Sequence, residues 1–117
     1  PIVSDPGCKV LARLGCARVS PVYNELIPIS LGVFLIDIDK RIRTSMRYSP
    51  TTGRNFYEVL RLFDGLQLVT KHKIVVPCNW GIGQDVMLNN DVPTEQQDSF
   101  RFVEVRSWFK LTPCPEN

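Results

Sequence analysis

Any chemistry in this 117-residue chain has to come from four cysteines, one histidine and a few placed charges. The cysteines stand at positions 8, 16, 78 and 114. A thiolate is both a nucleophile and a metal ligand, but this spacing holds no C-x-x-C pair, and His72 alone adds too few ligands for a structural zinc site. No metal and no cofactor is expected. The even count permits disulfides, yet a hydrophobic fraction of 44% is enough to build a core without them. Reduced thiols in a cytoplasmic protein are therefore the expectation. Cys78 follows Pro77 and reads as a small buried hydrophobe. His72, between Lys71 and Lys73, reads as an exposed loop residue rather than a general base. Arg54 stands apart, because a guanidinium at the start of a helix opposes the helix dipole and local energetics do not account for it.

The elements that must position these groups follow from periodicity. Pro1 to Ser4 reads as the end of a strand closed by Asp5-Pro6-Gly7. Asp5 can cap a short helix through Val10, Leu11 and Leu14 that Gly15 stops. Cys16 to Pro28 has no clean period and reads as a loop. Gly32 to Ile36 is a continuous apolar run, as in a strand covered on both faces. Asp37 to Lys40 turns the chain, and Ile42, Thr44, Met46 and Tyr48 alternate with polar residues as a half-wet strand, giving an antiparallel hairpin. Phe56, Val59, Leu60, Phe63 and Leu66 fall at helical spacing, with Arg61 and Asp64 on the other side, which predicts an amphipathic helix to about Gln67. Beyond Leu68, Pro77, Gly81, Gly83, Pro93, Pro113 and Pro115 leave room only for short elements. Phe100, Phe102, Trp108 and Phe109 give this tail apolar surface of the kind that an extended arm buries against a partner.

Composition excludes several classes. A formal net charge of +2, with the basic residues interleaved by acids, forms no phosphate-tracking stripe, so no nucleic acid is expected. No apolar run approaches the roughly 20 residues of a membrane helix. The chain opens with Pro1 rather than Met and has no signal peptide, so it is expected to be a cut sequence.

Several separate blocks resemble the 1-Cys peroxiredoxins. Thr51-Thr52-Gly53-Arg54-Asn55-Phe56-Tyr57-Glu58-Val59-Leu60-Arg61 is similar to the family's T-T-G-R-N-F-x-E-(I/V)-L-R. Asp64-Gly65-Leu66-Gln67-Leu68 resembles D-S-L-Q-L, Pro77-Cys78-Asn79-Trp80 resembles P-V-N-W, and Trp108 to Pro113 resembles the closing Y-L-R-Y-T-P. Pro1 to Asp5 resembles the family's P-I-(L/I)-A-D.

The resemblance implies an α/β, thioredoxin-like fold of which this chain would hold a part, a strand hairpin plus helix, over residues 1–70. Residues 71–117 would then form an extended C-terminal dimerisation arm, with Trp80, Trp108 and Phe109 at the interface of a homodimer. It also implies reduction of hydroperoxides, with a thiol reductant, through a cysteine in a P-x-x-x-(T/S)-x-x-C loop. None of Cys8, Cys16, Cys78 and Cys114 matches that loop, so the nucleophile is expected to be absent and the chain alone inactive. Arg54 would stabilise the thiolate and polarise the peroxide. Leu31 stands where the family carries a second active-site Arg. Asp39 falls at an acid that some animal members are proposed to use in a phospholipase triad, although a hairpin turn explains it as well. Two other functions compete with this one: a non-catalytic dimerisation module, and an independent thiol oxidoreductase using Cys78 or Cys114.

Overall fold

The computed structural model describes residues 1–97 and 101–115, and Phe100 lies outside them. Contacts divide the chain into two units, Pro1–Asn55 and Phe56–Asn117.

The first unit begins without a strand. Pro1 to Ser4 have no pairing partner, and Ile2 and Val3 stand in solvent. An extended segment with no neighbour cannot satisfy its backbone groups as a ladder, so the predicted strand end does not form. Helix α1 (Lys9–Arg13) follows. Asp5 captures its start, accepting hydrogen bonds from the backbone N–H groups of Lys9, Val10 and Leu11 at 3.0–3.1 Å. At the other end Arg47 Nη2 donates to the Leu14 carbonyl at 3.3 Å, a cation placed where the helix dipole favours one.

Residues 16–28, expected as a loop, instead pair as a hairpin of β1 (Ala17–Val19) and β2 (Leu26–Pro28). Ser20 Oγ receives the backbone N–H groups of Val22 and Tyr23, which folds the connection. Strands of three residues are too short for a period of two to be seen in sequence.

Strands β3 (Leu31–Ile36) and β4 (Ile42–Tyr48) make the predicted antiparallel hairpin, with Leu31 opposite Tyr48 and Val33 opposite Met46. Along β4, Thr44, Met46 and Tyr48 are half-buried while Arg43, Ser45 and Arg47 are exposed, as the alternation requires. Lys40 takes a positive φ of 62° in the turn. Asp37 organises it, with Oδ1 accepting from Arg41 N at 2.8 Å and Oδ2 facing Arg43 Nη1 at 3.5 Å. The continuous apolar run of β3 is not covered on both faces, because the two strands form a sheet of their own and β3 is only half-buried. Gly32 is needed where it stands: a Cβ there would lie 2.7 Å from both Cys16 Sγ and the Phe34 ring. Of the apolar residues in this unit, only Cys16 is fully buried.

The second unit is built on α2 (Phe56–Lys71). Glu58 in its first turn is favourable to the dipole and forms a two-pronged bond to Arg61. The helix runs past the predicted Gln67, and His72 N closes its last turn by donating to Leu68 O at 3.0 Å. His72 is half-buried rather than exposed.

The residues expected as an extended arm carry a four-stranded antiparallel sheet. Its strands are β5 (Ile74–Val75), β6 (Val86–Leu88), β7 (Val103–Arg106) and β8 (Phe109–Thr112), in the order β5-β6-β8-β7. A one-turn helix, α3 (Thr94–Gln97), lies between β6 and β7 in the chain. The core of the unit consists of Leu68, Ile74, Trp80 and Val86, joined at its margin by Val69, Val76 and Cys114.

The helix turns toward this core a face other than the predicted one. Gly65 and Leu68 are buried, with Leu62 and Val69 half-buried beside them, while Phe56, Leu60 and Phe63 are 63%, 58% and 46% exposed. Gly65 faces Val76 of the segment after β5, and a Cβ there would sit in ordinary contact with it at 3.5 Å. Periodicity identifies residues that share a side; it does not say which side meets the core.

Candidate functional site

Arg54 sits in the last unstructured stretch before α2. Upstream, a turn is held by Ser49, whose carbonyl accepts from Thr52 N at 2.9 Å and whose Oγ lies 2.9 Å from Thr51 Oγ1. Gly53 has open space around it, and Asn55 occupies the residue before the first helical one, where Asn is favoured. The Thr-Thr-Gly-Arg-Asn block is thus a turn and helix start that delivers the Arg54 guanidinium into solvent. Among the described residues Arg54 makes no hydrogen bond or ion pair, so its charge is uncommitted. Leu31, at the start of β3, is half-buried and brings no charge.

The cysteines divide by surroundings. Cys16 is fully buried against Gly32, an environment that keeps a thiol inert. Cys8 flanks α1 in a left-handed conformation with φ 50°. Cys114 is half-buried against the core of the second unit. All four are free thiols.

Cys78 corrects the sequence reading, because it is exposed. The P-C-N-W block is a turn in which Trp80 N reaches Pro77 O at 3.4 Å and Asn79 takes φ 57°. Cys78 is thus a central residue of a tight turn, not part of a strand or helix face that could carry it into the core. Trp80 then enters the core, and its Nε1 donates to Gln84 O at 2.9 Å, which satisfies the buried indole.

Cys78 lies at a groove of about 310 Å³ walled by Gly65, Val69 and Val76, with Arg61 beside it. The Arg61 guanidinium is held in its charged form chiefly by its hydrogen bonds to Glu58, and to a small extent by Cys78. Glu58 is correspondingly held below the usual carboxylate range by the Arg61 bond. That cation is therefore engaged by a carboxylate, in contrast to Arg54.

The remaining sequence candidates separate. Asp39 is exposed in the β3–β4 turn, and Asp37 carries that turn's hydrogen bonds. Trp80 is 4% exposed, so its ring belongs to the interior of its own unit. Trp108 is 64% exposed at the tip of the β7–β8 hairpin and stacks on Phe109 at 5.8 Å. Among the described residues no three His, Cys, Asp or Glu side chains converge to hold a metal, and no helix is long and apolar enough to cross a membrane.

Comparison with known proteins gives these features a context. Residues 65–99 match the family model of the C-terminal domain of 1-Cys peroxiredoxin. Over 98% of its length the chain is 31% identical to 48% of a 1-Cys peroxiredoxin of Dictyostelium discoideum. It is 34% identical over 99% of its length to 56% of Peroxiredoxin-6 of Gallus gallus. Among solved structures, a yeast mitochondrial 1-Cys peroxiredoxin, whose study concerns thiol resolution through glutathione and thioredoxin systems, superposes with TM-score 0.81 at 30% identity. That match covers 97% of this chain and 55% of the other. The chain spans about half the length of the curated relatives it matches. With its Thr-Thr-Gly-Arg-Asn-Phe helix start, its Trp80 turn and these matches, the chain belongs to the 1-Cys peroxiredoxin family, as its C-terminal part.

Proposed function

We propose that this chain is the arginine-bearing part of a thiol peroxidase that reduces hydrogen peroxide and organic or lipid hydroperoxides, with its nucleophilic cysteine outside the chain. The observation that carries this reading is Arg54: exposed, without a partner among the described residues, and placed by a specific family block just ahead of α2. A peroxide-reacting thiol needs nearby positive charge to stay ionised, and an uncommitted guanidinium meets that need. Cys8, Cys16, Cys78 and Cys114 follow no family nucleophile pattern, so the chain alone is inactive. Leu31 in place of a second Arg weakens the assembled site.

In this reading residues 1–70 belong to a thioredoxin-like domain and residues 71–117 to an arm that supports a homodimer. Trp108 and Phe109 are the aromatic surface it presents, because Trp80 is already buried. The reductant is a small-molecule or protein thiol, and the protein is cytoplasmic. The exposed Trp108–Phe109 stack also favours a second reading, a non-catalytic dimerisation module.

The two part in a chimera in which this chain replaces the matching part of Gallus gallus Peroxiredoxin-6. The peroxidase reading expects peroxide turnover that Arg54→Ala lowers about 100- to 1000-fold, as loss of one key charge-stabilising donor does elsewhere. Arg54→Lys should restore part of it. A rate indifferent to Arg54 would contradict the assignment.

A further inference from the structure

We propose that Ser49 is a phosphorylation site for a proline-directed protein kinase, and that its phosphate takes the Arg54 guanidinium as counter-ion. Three hydroxyl residues of the chain stand directly before a proline: Ser20, Ser49 and Thr112. Ser20 and Thr112 are 3% and 6% exposed, and Ser20 Oγ already accepts from the N–H groups of Val22 and Tyr23. Phosphoryl transfer needs the acceptor oxygen in near contact with the nucleotide's terminal phosphate and in line with it, which a buried hydroxyl cannot achieve. Ser49 is exposed, as are Pro50, Thr51 and Thr52 after it. Pro50 also holds Ser49 away from the helical region, in the extended form that a kinase cleft accepts.

The transfer breaks the bond from the γ-phosphorus of ATP to its bridging oxygen and forms one to Ser49 Oγ. ADP leaves, and the hydroxyl proton passes to the kinase's catalytic carboxylate. The product carries close to two negative charges and three strong acceptor oxygens. Donors for them are at hand. Thr51 N lies 3.4 Å and Thr51 Oγ1 2.9 Å from Ser49 Oγ. The turn that Thr52 N closes on Ser49 O at 2.9 Å keeps the Thr52 Cα within roughly 7 Å of that of Ser49, and Arg54 follows two residues later. Arg47, the other arginine close in sequence, already donates to Leu14 O, whereas Arg54 is exposed and unpaired among the described residues. A guanidinium and a phosphate make strong charge-assisted hydrogen bonds. Modification would therefore commit the charge on which the peroxidase reading depends. That consequence rests on the reading; the site itself does not.

The test is incubation of the full chain with ATP, magnesium and a cyclin-dependent kinase, read by peptide mass spectrometry and by NMR of the arginine Nε–Hε signals. Incorporation confined to Ser49 is expected. The Arg54 signal should shift and exchange more slowly with water, while that of Arg47 stays in place. Ser49→Ala and Pro50→Ala should each lower incorporation roughly tenfold or more. Pro50→Ala keeps the hydroxyl, so its loss reports recognition rather than a missing acceptor, and both variants should keep the parent's circular dichroism spectrum. No incorporation, incorporation at Ser20, Thr51, Thr52 or Thr112 in place of Ser49, or a phosphorylated Ser49 with the Arg54 signal unmoved would overturn the proposal. In the Gallus gallus chimera, phosphorylation should lower peroxide turnover roughly tenfold or more, and an active chimera indifferent to it would overturn the pairing with Arg54. A chimera inactive in both states contradicts the peroxidase reading and leaves the site standing, because incorporation and the Arg54 signal are read on the chain alone.

Discussion

The two units solve the problem of burial differently. Phe56–Asn117 closes a core around Leu68, Ile74, Trp80 and Val86, and adds Leu88, Val92 and Thr112 to its buried set. Pro1–Asn55 buries only Cys16 and Ser20, and leaves Val19, Val22, Tyr23, Ile36 and Ile38 in solvent. Charge follows the same division, with eight Lys and Arg against four Asp and Glu in the first unit, and six against eight in the second. The second unit has the means to hold itself together. The first is held by turns, caps and two separate two-stranded ribbons, the kind of structure that is marginal without a further layer. Arg54 lies at the end of this weakly held region.

The largest effect that would sharpen the contrast lies in the second unit. Trp80→Ala removes a buried aromatic and its bond to Gln84 O, and should lower stability by about 3–5 kcal/mol in urea unfolding. Ile38→Ala, at a first-unit position 93% exposed, should change it by less than about 0.5 kcal/mol. Comparable losses at both sites would break the distinction.

A middle-sized effect probes the one tightly packed point of the first unit. Gly32→Ala drives a methyl into Cys16 Sγ and the Phe34 ring and should destabilise by about 1–3 kcal/mol. Cys16→Ala in the same chain should recover part of that loss, a coupling that a double-mutant cycle detects. Simple additivity would mean that the contact between these residues does not limit packing there.

The smallest effect is electrostatic. The pKa of Glu58 is lowered from 4.5 by its bond to Arg61, so the pair's contribution is fully present above that value and is lost as pH falls through the folded-state pKa. Because the pair is surface-lying, Glu58→Gln should lower stability only slightly at pH 7, and the difference from the parent should vanish well below about pH 4.5, where the parent's own carboxyl is protonated. Denaturant midpoints across pH 3–7 would record it.

How far the sequence was legible depends on the element. The β3–β4 hairpin could be read because seven residues of alternation repeat often enough to be seen, and α2 because its apolar residues recur over four turns. The β1–β2 hairpin could not, since Pro21 and Pro28 read as loop punctuation around strands of three residues. The orientation of α2 was misjudged for a physical reason. Its inward face centres on Gly65 and Leu68, with Leu62 and Val69 half-buried beside them, a pattern less conspicuous than the Phe56, Leu60 and Phe63 stripe left in solvent. The exposure of Cys78 cannot be read from its residue type, because it is set by the Pro77–Trp80 turn that sends Trp80 rather than Cys78 into the core. Arg54 was legible as a motif residue, whereas its chemical surroundings depend on groups outside the chain.

The account turns on the absence of a peroxide-reacting thiol in the chain itself. The most direct measurement is the second-order rate constant with hydrogen peroxide, taken for the chain and for Cys8→Ser, Cys16→Ser, Cys78→Ser and Cys114→Ser. The account predicts the slow rate of an ordinary free thiol in every case, since no cysteine has an uncommitted cation placed against it. A fast reaction that disappears only in Cys78→Ser would contradict it, and would make the exposed thiol beside Arg61 the nucleophile.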